Sequence, residues 1–195
     1  MIVTAAPQRR RLFLGLVGAL LIGCVVCLLF QNAGAATGSE SSADDHLNPD
    51  LPEQTDKFPA HLYYADRNNS YLKSEQRVMH RLQDPAEFAK TIVAALIKGP
   101  QKELVRTIPA GTELNAVYID PENVCYVDFS GAVKKNHPGG INSELLTIYS
   151  VVNSLILNVS EIDRVKILID GSETSTLAGH INLQVPFKAH MLLIR

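Results

Sequence analysis

Four acidic residues stand where a predicted strand ends or a predicted helix begins, which is where paired carboxylates can act as general acid and base. They are Asp66, Asp128, Glu144 and Asp170. Two such groups placed on either side of a glycosidic bond would hydrolyse a cell-wall glycan. Each residue also fits an ordinary role, as a turn residue, a strand end, an N-terminal helix acid or an Asp-Gly turn, and these roles are favoured. We therefore assign no catalytic residue, and a peptidoglycan hydrolase or accessory stays as an alternative.

Other arrangements that support catalysis or cofactor binding are absent from the sequence. Ser130 follows a predicted strand and is outside any G-x-S-x-G nucleophile motif. No glycine-rich phosphate loop is present, and the histidines show neither H-x-x-x-H nor H-E-x-x-H spacing. The histidines are His46, His61, His80, His137, His180 and His190. The sequence thus predicts a protein that is not an enzyme and has no metal site and no cofactor.

The three cysteines fall into two settings. Cys24 and Cys27 form a C-x-x-C inside an apolar segment, whereas redox chemistry of this motif needs a water-accessible thiolate. Cys125 alternates with Val127 and Phe129 on one predicted strand, which is typical of a small core residue. A domain with one cysteine forms no internal disulfide, so packing must stabilise it.

The apolar segment 12–30 predicts a membrane anchor. It is about 19 residues long, the length that a helix needs to cross a hydrocarbon core of roughly 30 Å. Residues 1–11 contain Arg9, Arg10 and Arg11, and the next basic residue is Lys57, which places the N-terminus in the cytoplasm and the rest outside.

Two other interpretations of this segment remain open. It is a signal peptide if it is cleaved after Ala35, and a lipoprotein signal if the lipobox-like residues 21–24 direct lipidation of Cys24. All three interpretations export the remainder of the chain, either to the periplasm or to the outer face of the cell membrane.

Composition divides the exported part in two. Residues 31–59 are rich in Ser, Asp, Glu and Pro and predict a disordered acidic linker, and residues 60–195 predict one domain. The whole chain has a net charge of −2, and the exported part is more negative because it lacks the three N-terminal arginines. We therefore expect no binding to nucleic acid.

The pattern of segments predicts an α/β fold. The order is β-β-α-β-β-α-β, which indicates a two-layer domain with two helices on one face of a mixed β-sheet. Residues 84–87 carry three helix-start signals, and Gly99-Pro100 ends that helix. The longest helix begins near Glu144 and carries neutral polar residues on one face, and the tail 177–195 is strand-like.

Two surface segments are candidates for contacts with other molecules. The basic loop 134–140 could dock on an acidic partner or an anionic cell-wall polymer, although a solvated loop is favoured. The charges of segment 72–79 alternate with other residues, which indicates an edge or half-exposed strand, and pairing through this edge would build a ring-forming homo-oligomer. The residues that bind a partner stay unassigned.

Taken in order along the chain, seven motifs resemble the GerMN domain family of sporulation and spore germination proteins. They span roughly residues 60–187 and are L-Y-Y-A-D at 62–66, E-Q-R-V at 75–78, A-A-L-I-K-G-P at 94–100, T-I-P-A-G-T at 107–112, V-C-Y-V-D-F-S at 124–130, the helix at 144–157 and V-K-I-L-I-D-G at 165–171.

The resemblance implies a fold similar to the ring-building motifs of secretion-type complexes. It also implies an exported, membrane-tethered or lipid-anchored protein, and it supplies no catalytic residues. The expected function is a non-enzymatic binding or assembly module of the bacterial cell envelope, related to sporulation or germination. Its expected partners are the membrane, through residues 12–30, and envelope proteins or peptidoglycan.

Overall fold

Residues 56–195 are described by a computed structural model. The predicted cytoplasmic segment 1–11, the anchor 12–30 with Cys24, and the linker as far as residue 55 lie outside the described residues. Within residues 56–195, no helix combines the length and the apolar character needed to cross a membrane.

Five strands and three helices make up the described domain, followed by a short 3-10 helix at Met191–Leu193. The elements are β1 (Lys57–Ala65), β2 (Leu72–His80), α1 (Pro85–Lys98), β3 (Leu114–Ile119), β4 (Val124–Phe129), α2 (Ala132–Lys135), α3 (Ile141–Ile156) and β5 (Arg164–Ile169). The α/β class and the predicted order are confirmed, and the single turn α2 is added, which begins before the basic loop and ends at its second residue. β1 begins inside the predicted linker, because residues 57–59 already pair with β2.

Helix α1 begins and ends where its sequence signals predict. The Asp84 side chain accepts a hydrogen bond of 2.8 Å from the backbone N–H of Ala86, and Pro85 occupies the first turn, where no N–H is needed. At the other end Gly99 adopts φ 91°, a conformation that favours glycine, and its N–H bonds to the carbonyl of Leu96.

The prediction of one mixed sheet was wrong, because the strands form two sheets. β1 and β2 pair antiparallel in one of them. In the other, β3 pairs antiparallel with β4, and β4 pairs parallel with β5. Helix α1 contacts β1 and β3, whereas α3 contacts β1 and β5, so each helix packs against strands of both sheets.

Side chains of α3 and of Asn158, two residues beyond its end, separate the two sheets by occupying the outer edge of β1. The side-chain amide of Asn158 accepts from the N–H of His61 and donates to its carbonyl, both at 2.8 Å. The Ser154 hydroxyl accepts from the N–H of Tyr63 at 3.0 Å, and Ser150 donates to the carbonyl of Tyr63 at 2.6 Å. A further strand cannot pair with β1 here, because α3 already satisfies these backbone groups.

The neutral polar face of α3 is therefore a buried face. Ser150, Asn153 and Ser154 are 0% exposed and Asn158 is 5% exposed. Asn153 repeats the same arrangement on the C-terminal segment, since its amide bonds to both the N–H and the carbonyl of His190.

One apolar core joins the two sheets and the helices. It includes Leu62 of β1, Phe88 of α1, Val127 of β4 and Val151 of α3. Cys125 is confirmed as a core residue, and burial raises the pKa of its thiol to about 12, so the thiol stays protonated.

The tail was predicted to be strand-like, and this prediction was wrong over most of its length. Phe187 forms an isolated antiparallel bridge with Val165 of β5, and Ile194 forms a parallel bridge with Leu72 of β2. Between these bridges the tail is irregular or forms the 3-10 helix. Two isolated bridges thus join the tail to strands, one in each sheet.

Replacing Asn158 with Ala should lower the free energy of unfolding by about 2–4 kcal/mol, because two backbone groups of His61 lose their buried partners. Urea unfolding of the domain measures this change. The control is Asn115→Ala, an exposed position on β3, where we expect a change below about 0.5 kcal/mol. Equal stability of the two variants would show that Asn158 does not hold the edge of β1.

Candidate functional site

Two of the four predicted acids meet at the ends of β4 and β5. The strands are parallel neighbours, so Asp128 and Asp170 leave the sheet at the same end. Asp128 accepts from the N–H of Gly171 at 2.9 Å, and Asp170 accepts from the N–H of Gly131 at 2.8 Å. Each carboxylate thus holds the turn that follows the neighbouring strand.

Glu144 lies in a separate hydrogen-bond network and is 0% exposed. Its Oε1 accepts from the N–H groups of Leu177 and Ala178 at 3.0 and 2.8 Å. Its Oε2 accepts from the N–H of His180 at 2.9 Å and lies 3.1 Å from the ring Nδ1 of the same residue. Both oxygens are occupied, so Glu144 anchors the tail to the first turn of α3.

The charge of Glu144 is stabilised by these donors. Burial acts to raise the pKa of the carboxyl, but the surrounding backbone N–H groups lower it more, and the net pKa is below its ordinary value of 4.5. A general acid needs the opposite shift, since it must hold a proton near neutral pH.

Asp66 closes the turn between β1 and β2. It accepts from the N–H groups of Asn68, Ser70 and Tyr71 at 3.1, 2.6 and 3.1 Å. Burial raises the pKa of the carboxyl, yet these N–H groups lower it more, and the net shift is downward. The favoured turn role of Asp66 is consistent with this geometry.

Sequence reasoning missed a buried ion pair between Glu75 and Arg77 on β2. Their closest N–O distance is 2.5 Å, with side chains 1% and 10% exposed. Glu75 also accepts from the N–H groups of Gln101 and Lys102, and Arg77 donates to the carbonyl of Gly99 at 2.6 Å. The pair therefore joins β2 to the C-terminal end of α1.

The described histidines do not form a metal site. Within residues 56–195 there is no cluster of three His, Cys, Asp or Glu side chains that could hold a metal ion. His137, in the basic loop, lies between the N–H of Gly139 and the hydroxyl of Thr147, at 3.0 and 3.1 Å. Burial lowers the pKa of its ring, so the ring is neutral at physiological pH.

A cavity of about 310 Å³ lies beside the basic loop. Its lining combines apolar and neutral polar residues with two arginines, one of which, Arg67, pairs with the exposed Glu103. The polar lining residues are Arg67, Asn69, Arg106, Thr107, Ser143 and Thr147. No Asp or Glu is among the residues that line the cavity, so it offers no carboxylate for acid-base catalysis.

The open edge of β2 is the clearest surface for another chain. The backbone N–H and C=O groups of β1 residues 61 and 63 point away from β2. The residues opposite them in the register, Gln76 and Ser74, therefore direct their own backbone groups away from β1, and so does Val78, two residues further along. In the described part of the chain only Arg195 pairs with this edge, by an N–H bond of 3.0 Å to Leu72.

In the other described sheet, the edge strand β5 has a backbone partner on its outer side. Val165 of β5 exchanges two backbone hydrogen bonds of 2.8 Å with Phe187. β2 is thus uncovered over its central residues, whereas the outer edges of β1 and β5 have partners. β3 is also an edge strand, but a bulge between Leu114 and Ala116 interrupts its ladder. The prediction that segment 72–79 is an edge strand is confirmed.

Replacing Glu144 with Gln should cost about 2 kcal/mol or more of stability at pH 7, because several N–H donors lose a charged acceptor. The lowered pKa stabilises the folded state above the unfolded pKa near 4.5, and this contribution disappears as the pH falls through the folded pKa. Unfolding measured from pH 7 to pH 3 should therefore show the two proteins converging at low pH. The exposed control Glu113→Gln should follow the wild type, and a gap that stays constant with pH would contradict the assignment.

Solved structures with a similar fold include GerMN domains. The tandem GerMN domains of the sporulation protein GerM from Bacillus subtilis align with TM-score 0.56 and 23% identity, covering 68% of this chain and 46% of that one. This chain therefore spans about half of the tandem structure. The first GerMN domain of the same protein aligns with TM-score 0.51 and 21% identity, covering 69% of this chain and 98% of that one.

No curated protein matches the chain. The family model described as "Germane: Sporulation and spore germination" matches residues 61–175, which is more than half of the sequence. The chain therefore belongs to the Germane, or GerMN, family of sporulation and spore germination domains.

Proposed function

We propose that this protein is a non-enzymatic binding and assembly module of the bacterial cell envelope, tethered to the membrane by residues 12–30. The domain stands outside the cytoplasm and binds other envelope components through the open edge of β2. The apolar segment behind three arginines supports the tether, and family membership supports a role connected with sporulation or germination.

The contrast between the edges of β1 and β2 is the observation that carries this proposal. Two side chains of α3 and that of Asn158, just after the helix, satisfy the backbone groups of β1. Ser74, Gln76 and Val78 of β2 keep theirs directed outward. An uncovered edge is a template for a strand of another chain, and proteins that do not use such an edge usually block it. β2 has no proline, and its exposed Val78 is 69% accessible.

The acids support the same conclusion. Asp66, Asp128, Glu144 and Asp170 each accept hydrogen bonds from backbone N–H groups, so each has a structural role. The carboxylates that the hydrolase alternative needs are committed to turns and to the tail. Main-chain pairing needs none of them.

A photo-reactive benzophenone amino acid in place of Ser74 should form adducts with a binding partner in living cells. Adduct formation should stop when Gln76→Pro is added, because proline removes an outward N–H and distorts the edge, and should persist with Gln76→Ala. Gel mobility and mass spectrometry identify the adduct.

The matched control places the same amino acid at Lys90 on α1, where the side chain is 52% exposed. Adducts of the same identity from both positions, or adducts that survive Gln76→Pro, would refute binding through the edge.

Protease added to intact spheroplasts should digest the domain of the full chain while a cytoplasmic marker protein stays whole. This result follows from the arginine cluster before residue 12, which retains the N-terminus inside. A domain that resists protease until the membrane is lysed, and is then digested, would show that the proposed orientation is incorrect.

A further inference from the structure

We propose that the strand that pairs with β2 is β2 of a second copy of this chain. The two strands run antiparallel about a two-fold axis at Gln76. This inference rests on the proposed function, since it names the partner that occupies the same open edge.

The outward backbone groups of β2 permit this pairing without rearrangement. With Gln76 opposite Gln76 of the second copy, Ser74 lies opposite Val78 in both directions. Residues 74, 76 and 78 all direct their N–H and carbonyl groups outward. Each aligned pair of an antiparallel ladder exchanges two hydrogen bonds, so the three pairs give about six in total.

Charge selects this register over its nearest neighbour. The axis at Gln76 puts Glu75 directly opposite Arg77 of the second copy, twice. An axis at Arg77 would put two arginines directly opposite each other, which is destabilising. Within each copy Glu75 already pairs with Arg77 at 2.5 Å, with side chains at most 10% exposed, so this register sets two such pairs side by side with alternating charge where water screens them only weakly.

The next register, with its axis at Val78, lacks this charge match. It places Arg77 opposite Met79. Glu75 would face Arg81, but Arg81 lies beyond His80, the last residue of β2. Shifted the other way, an axis at Glu75 would put two glutamates directly opposite each other, and an axis at Ser74 requires Leu72, whose carbonyl already accepts from Arg195. The register at Gln76 is therefore the one that pairs opposite charges within the free part of the edge.

This pairing closes at two subunits. Both copies contribute the same edge, so the contact is isologous and leaves no equivalent edge for a third copy. A ring needs two different surfaces on each subunit. The edge that the sequence suggested for a ring-forming oligomer is thus suited to a dimer.

The contact is small, so we expect a weak dimer. One pair of short strands buries less than about 1,200 Å², the range of transient complexes. Confinement of both copies to one membrane would raise their effective concentration and favour pairing.

Cysteine cross-linking of the full chain in mild detergent tests the register. In a Cys24→Ser, Cys27→Ser background the remaining Cys125 is buried. Gln76→Cys places two thiols across the axis at a Cα separation of about 5.5 Å, within disulfide range. Mild oxidation should give about fivefold more disulfide dimer than the control Val78→Cys, whose two copies would be four residue positions, roughly 14 Å, apart.

A mixed sample adds a positive check. Ser74→Cys and Val78→Cys proteins should cross-link to each other, because the register places these positions opposite. Equal dimer from Gln76→Cys and Val78→Cys would indicate random collision, and more dimer from Val78→Cys would indicate another register. Either result overturns the inference.

Sedimentation equilibrium provides a measurement without cysteine. The protein mass should rise from 21.3 kDa toward twice that value with concentration. Gln76→Pro should abolish the rise, and Gln76→Ala should preserve it. If the wild type stays monomeric while the Ser74 photo-adduct contains a different protein, the dimer is refuted and the proposed function stands. If neither dimer nor adduct forms, both are refuted.

Discussion

The contact of β1 with polar side chains of α3, and of Asn158 just after the helix, is the interaction on which the rest of the domain depends. Asn158, Ser154 and Ser150 satisfy the backbone groups at the outer edge of β1 and take the place of a neighbouring strand. Because a helix stands there, the strands divide into two sheets, and β2 becomes the side of its sheet that stays open. The same helix packs against β5, so one element both ends the first sheet and connects it to the second.

Carboxylates in this domain serve mainly to hold backbone. Glu144 binds three N–H groups of the tail, and Asp66 binds three N–H groups of its turn. Donors of this kind favour the ionised form and keep the pKa of both groups low. Their positions near strand ends and helix starts resemble those of catalytic acids, because loops that need N–H acceptors occur at the same places. The number of backbone N–H donors around a carboxylate is what distinguishes a structural from a catalytic one here.

Sequence patterns located most elements and missed how they assemble. The predicted start and end of α1 agree with the structure, and Cys125, Val127 and Phe129 lie on one strand as predicted, since alternation, capping residues and glycine act over a few positions. The two-sheet arrangement could not be predicted, because a row of Ser and Asn on a helix reads the same whether it faces water or a strand edge. Likewise the charges of segment 72–79 suggested an edge or half-exposed strand, and only the three-dimensional fold brings the N–H groups of Gln101 and Lys102 to Glu75.

The way the chain ends has a practical consequence for handling the protein. Ile194 and Arg195 run parallel to β2 and bond to its first residue, Leu72. A peptide fused after Arg195 would continue alongside β2 and can pair with it as a third strand of the β1-β2 sheet. An affinity tag at this position would compete with any natural ligand of the edge, so a tag placed ahead of the domain is the safer choice for binding studies.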